Sequence, residues 1–82
     1  MTAADHTVTV ITRVGCHLCE QAEQTVARMS AELGFAVEFV DVDSDPALAN
    51  EYSDRVPVIL LDGAEHGYWQ VEEARLRQRL AR

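Results

Sequence analysis

Leu18, Ala22, Val26, Met29 and Leu33 recur at intervals of four, four, three and four residues. That spacing lines them along one face of a helix, so His17–Leu33 is predicted as an amphipathic helix with one side buried. Gly34 follows where a helix commonly closes in a left-handed residue, and Phe35 supplies the apolar contact just past it. A β-branched run, Thr7–Thr12, precedes the helix, and an apolar-rich segment, 36–42, follows it. Two strands joined by one long helix lie parallel, with a right-handed crossover. This β-α-β unit fills half the chain and restricts every later element to what can pack on it.

The second half supplies those elements. Asp45-Pro46 has the form of an N-cap followed by proline in the first helical position, opening a short helix over 46–52. A third strand is expected over 57–61, with its proline at the start, where a missing N–H does least harm. Asp62-Gly63 is a two-residue hairpin signal. It returns the chain along 64–69, where Gly67 marks a bulge or a close backbone approach. A last helix is expected over 71–81, with Glu72 and Glu73 in its first turn and arginines in its last. Residues 1–6 are small and polar and are expected to fray. The fold class is α/β, ordered β-α-β-α-β-β-α, with a four-stranded mixed sheet and helices on both faces.

At 82 residues the chain has room for one domain. Seven basic residues against fourteen acidic ones give a net charge of −7, which argues against nucleic acid or an anionic membrane as a partner. Four of the seven, Arg75, Arg77, Arg79 and Arg82, fall in the last eight residues, and suit the C-terminal end of a helix better than a nucleic-acid arm. No apolar run approaches the ~18 residues needed to span a bilayer. The first six residues have neither the basic nor the apolar region of a secretory signal, so the expected location is the cytoplasm.

The two cysteines are Cys16 and Cys19, and in a reducing compartment such a pair points to catalysis or metal binding rather than to a structural staple. Their place sharpens the reading. Cys16 opens the first helix directly after the first strand, where unsatisfied N–H groups and the positive end of the helix dipole favour a thiolate. Cys19 lies one turn further in. The expected chemistry is disulfide exchange, with Cys16 attacking and Cys19 resolving. His17, as a cation, would add to thiolate stabilisation, whereas the helix N-terminus disfavours a protonated imidazole; the alternative is an exposed, neutral histidine.

With Arg13 three residues before Cys16, and Val56-Pro57 at the head of the third strand, the chain resembles a glutaredoxin-type member of the thioredoxin fold. The run from Val56 to Gly63 is similar to that of a short bacterial glutaredoxin-like group. The resemblance implies that Arg13 stands where a lysine helps hold a glutathione carboxylate. It further implies that Pro57 is cis beside the cysteines and that the Val56 backbone pairs with a bound thiol peptide. The departures are His17 and Leu18 in place of proline and an aromatic residue, and Arg55 in place of threonine. Gly67-Tyr68-Trp69-Gln70 stands in place of a Gly-Gly-aspartate pattern, with Glu72 and Glu73 the nearest acids. The glutathione site is thus matched only in part. Arg13 and Arg55 would also supply positive potential beside the thiolate.

These readings make the chain a monomeric thiol–disulfide oxidoreductase with no bound cofactor or metal. Cys16 and Cys19 are its catalytic residues, and Arg13, His17, Arg55, Val56 and Pro57 contact its substrate. Protein disulfides or glutathionylated thiols are the expected partners, with glutathione or a thioredoxin reductase-type protein returning electrons. Two alternatives stand beside it: an iron–sulfur or zinc-binding module of the same fold, or a non-catalytic interaction domain. Neither a second CxxC nor a close histidine pair completes a zinc site within one chain. Glu20 stands where haem attachment needs histidine. Asp41, Asp43 and Asp45 alternate like cation ligands, but a calcium loop's glycine and terminal glutamate are missing. Asp45 reads better as a cap and the other two as solvated acids. Tyr68 and Trp69, which could form a stacking surface near the thiols, are expected as half-buried packing at the end of a strand.

Overall fold

The computed structural model describes residues 3–81. Its elements are β1 (Thr7–Thr12), α1 (His17–Leu33), β2 (Ala36–Asp41), α2 (Pro46–Tyr52), β3 (Val58–Leu61), β4 (Ala64–Tyr68) and α3 (Glu73–Leu80), with 3-10 turns at Ala3–Asp5 and Val42–Ser44. The sheet order is β2-β1-β3-β4. β1 runs parallel to β2 and antiparallel to β3, which pairs antiparallel with β4.

The long helix has the bounds that its apolar spacing predicts. Its stripe of Ala22, Val26 and Met29 packs with Leu76 and Leu80 of α3 onto Val8, Val10 and Ile59 of the sheet. Gly34 closes α1 at φ +89, donating its N–H to the Ser30 carbonyl at 2.7 Å. On the other face a smaller cluster, Ile11, Val42 and Val58, is covered by Leu48 and Tyr52 of α2. Helices therefore cover both faces. Asp45 caps α2 by accepting the Ala47 N–H at 2.8 Å.

At the hairpin, Asp62 and Gly63 both take positive φ, +52 and +87, as a two-residue turn of the primed type requires. The pairing shifts between Ile59 and Leu60, whose partners are Gly67 and Glu65, so His66 is the extra residue of a bulge beside Gly67.

Several boundaries differ from expectation, each for a local reason. β2 stops at Asp41, whose carboxylate accepts the Asp43 N–H at 2.9 Å and starts a 3-10 turn. β3 starts after Pro57, which has no N–H to give the ladder. β4 ends at Tyr68 because Trp69 turns left-handed, at φ +70. α3 starts at Glu73 rather than 71, since Glu72 makes no side-chain cap and Val71 packs against the core from outside the helix. Glu73 then accepts from Arg28 at 2.6 Å and from Arg77 at 3.2 Å, tying α3 to α1. Arg82 lies outside the described residues.

The N-terminal segment corrects the expectation of fraying. Residues 1 and 2 lie outside the described residues, but His6 is buried and its Nδ1 meets Asp62 Oδ2 at 2.6 Å. Asp62 Oδ1 accepts the Thr7 N–H at 2.9 Å, and the His6 carbonyl accepts the Ala36 N–H at 3.1 Å. A hairpin turn thus holds the start of β1 from more than fifty residues away.

The Thr7 N–H, and then His6, hold the Asp62 carboxyl below the usual carboxylate range. A group whose native pKa lies below its unfolded value stabilises the fold fully above that unfolded value and loses the contribution as pH falls through the native one. Asp62→Asn keeps a residue tolerant of positive φ but removes the charge. It is expected to lower the urea midpoint at pH 7, with the gap to the parent chain closing as pH falls below the ordinary carboxylate range. A gap independent of pH would show that the carboxylate's charge contributes nothing.

Candidate active site

The site is built where β1 hands over to α1. A turn over 13–16 connects them, closed by the Cys16 N–H donating to the Arg13 carbonyl at 3.3 Å, with Gly15 at φ +80 in its second central position. The turn leaves Cys16 extended, at φ −96 and ψ 115, as the N-cap of α1. The cap is the thiol itself. Cys16 Sγ accepts the Cys19 N–H at 3.2 Å, while the Cys16 carbonyl accepts the Glu20 N–H at 3.1 Å. Both cysteines are free thiols, with Cys16 half-buried and Cys19 fully buried behind it.

Burial, and then the hydrogen bond with Cys16, push the Cys19 thiol up to about 11. Glu23, one turn further along α1, adds to the rise, and the Arg13 N–H donating to Cys19 Sγ at 3.4 Å works against it. The two thiols are thus inequivalent: one stands at the helix end facing outward, and the other is held protonated in the core.

Val56-Pro57 is a cis peptide bond, as the resemblance implies. In the β1–β3 register Ile11 faces Val58 in the last pair of the ladder, so Pro57 follows at the end of the sheet from which β1 runs into the cysteine turn. The Pro57 carbonyl accepts the Trp69 N–H at 2.8 Å, which joins the end of β4 to the same corner. Among the described residues the Val56 N–H and carbonyl have no backbone partner.

The two arginines have their guanidinium groups engaged. Arg13 reaches Asp43 through Nε at 3.1 Å and through Nη2 at 3.3 Å, and this pairing raises its pKa. Arg55 lies over the Tyr52 ring and meets Glu65 at 3.2 Å, Asp54 at 3.3 Å and Glu51 at 3.7 Å. Asp43 is thus a solvated acid, as expected, and also an arginine's partner; a spacing of 30 residues gave no sign of the pairing. His17 is exposed, with Nε2 3.3 Å from Gln21 Nε2. Among the described residues no three His, Cys, Asp or Glu side chains gather where they could hold a metal ion.

The aromatic pair is more open than packing at a strand end would leave it. Tyr68 is 47% exposed and Trp69 55%, their rings edge to face at 5.1 Å. Val14 in the cysteine turn is 87% exposed, and Leu18 between the cysteines 49%. Trp69 and Leu18 line the same cavity of about 130 Å³, together with Gln21 and Thr25 of α1.

The sequence model of the glutaredoxin-like domain (DUF836) matches residues 7–81. The chain belongs to this family. The domain is 46% identical over 80 residues to the uncharacterized protein Rv0508 of Mycobacterium tuberculosis, covering 92% of this chain and 82% of that one. Among solved structures, the domain is similar to protein Ne2328 of Nitrosomonas europaea, with a TM-score of 0.80 and 26% identity over 93% of this chain and 92% of that one. A structural-genomics target from X. campestris gives a TM-score of 0.70 at 39% identity, over 89% and 93%. A mutant thioredoxin of Halobacterium salinarum gives 0.68 at 28%, over 96% and 74%. The glutaredoxin-like domain thus has the thioredoxin fold, with a CxxC pair at the start of its first helix.

The inequivalence of the thiols can be read by alkylation. A thiol held near 11 remains neutral and unreactive at pH 8. Iodoacetamide added to the reduced domain at pH 8 is expected to label Cys16 alone, with Cys19 labelled only on unfolding or as pH approaches 11. Peptide mapping that found Cys19 modified first would contradict this placement.

Proposed function

We propose that the glutaredoxin-like domain is a thiol–disulfide oxidoreductase, acting as a monomer in the cytoplasm. The observation that carries the reading is the Cys16 thiol at the α1 N-cap, accepting the Cys19 N–H while Cys19 waits protonated behind it. A helix N-terminus stabilises negative sulfur, and the thiolate is the form that attacks.

Cys16 attacks one sulfur of a substrate disulfide. That S–S bond breaks, a mixed disulfide forms on Cys16, and the other sulfur leaves as a thiolate that takes up a proton. Cys19 then gives up its proton and attacks Cys16 Sγ, with the Arg13 N–H favouring the negative sulfur as it forms. The mixed disulfide breaks, the second substrate thiol departs, and a disulfide joins the two cysteines. The substrate gains two electrons and two protons, and the dithiol loses them. Val56, with its backbone polar groups unpaired, offers an edge to which the substrate peptide adds as a strand, and Pro57 lies at the head of that edge. Substrates are protein disulfides or glutathionylated thiols. Glutathione, or a reductase of the thioredoxin-reductase type, restores the dithiol.

The two cysteine roles predict opposite single variants. With a disulfide-bonded peptide, Cys19→Ser is expected to accumulate a covalent adduct on Cys16, seen by intact mass and released by dithiothreitol. Cys16→Ser is expected to form no adduct and to reduce nothing. An adduct on Cys19 in the Cys16→Ser protein, at a comparable rate, would reverse the assignment.

A further inference from the structure

Five large apolar side chains are exposed among the described residues, and four of them, Val14, Leu18, Tyr68 and Trp69, belong to the corner that holds Cys16. Val14 and Leu18 stand two residues to either side of Cys16 in the chain. Trp69 shares a cavity wall with Leu18, touches Tyr68 edge to face, and is tied through its N–H to Pro57. Leu18 therefore links the residues that flank Cys16 to the aromatic pair. Trp69 also holds φ +70, a backbone region that bulky side chains rarely adopt. Outliers of this kind persist where the surroundings enforce them, and they gather at binding sites.

Charge points the same way. Glutathione carries two carboxylates and one ammonium, so its net charge is negative, and this chain carries −7. The guanidinium groups nearest in sequence to the site's two strands, those of Arg13 and Arg55, already hold Asp43 and Glu65. A ligand carboxylate reaching either of these two would have to displace an existing ion pair, whereas an apolar side chain has an open aromatic wall to cover.

We propose that the site selects a peptide or protein disulfide whose cysteine is flanked by a bulky apolar side chain, seated against Leu18 and Trp69, over mixed disulfides of glutathione. This deepens the oxidoreductase reading and rests on it. The chemistry is the two-electron exchange above; the flanking side chain sets only which disulfide reaches Cys16.

The test uses the reduced domain as the sole two-electron donor, in single turnover, against three substrates. These are a disulfide peptide with leucine beside its cysteine, the same peptide with serine there, and the serine peptide as its glutathione mixed disulfide. Each second-order rate is divided by that of dithiothreitol on the same substrate. The leucine peptide is expected to react about tenfold faster than either of the others, equivalent to about 1.4 kcal/mol. Trp69→Ser is expected to remove most of that preference. Leu18→Ser, on the other wall of the seat and half-exposed, is expected to reduce it about twofold. Reduction of all three at equal rates would overturn the specificity and leave the oxidoreductase standing. A preference that survives in both variants would overturn the seat. Failure to reduce any of them would remove the oxidoreductase reading itself.

Discussion

The hydrogen bond from the Cys19 N–H to Cys16 Sγ organises this corner of the molecule. A helix begins with N–H groups that have no partner in the helix, and a side-chain oxygen usually takes one of them. Here sulfur does so. The cap that starts α1 is therefore itself a partly exposed thiol, and the residue that donates to it carries the second thiol. Everything around serves to hold that geometry. Gly15 makes the turn out of β1, the α1 stripe fastens the helix to the sheet, and β3 brings Pro57 to the same end of the sheet.

Burial then separates two chemically identical groups. Cys19 lies inside, where desolvation disfavours its charged form, so at neutral pH it stays a thiol. The same acidic chain that keeps Arg13 and Arg55 occupied leaves apolar side chains exposed on either side of Cys16. Arg13 illustrates the division: its N–H meets Cys19 while its guanidinium turns to Asp43.

Features governed by neighbours in sequence were legible from the start. The α1 bounds follow from the apolar interval and Gly34, the hairpin from Asp62-Gly63, and the bulge from Gly67. The cysteine pair could be placed at a strand-to-helix junction for the same reason. What could not be read depends on partners distant in the chain. His6 and Thr7 are ordered by Asp62, Arg13 is drawn to Asp43, and Arg55 is held by Glu65. The exposure of Trp69 was equally hidden, because it follows from a left-handed turn at a residue type that seldom makes one.

The central claim is that Cys16 and Cys19 form a reversible redox pair. The direct measurement is equilibration of the purified domain across glutathione redox buffers, followed by acid trapping and intact mass. The account predicts a two-electron transition between dithiol and intramolecular disulfide, with a midpoint between about −270 and −200 mV, the range spanned by thioredoxin and the glutaredoxins. A pair that stays reduced throughout, or that oxidises without returning, would contradict it.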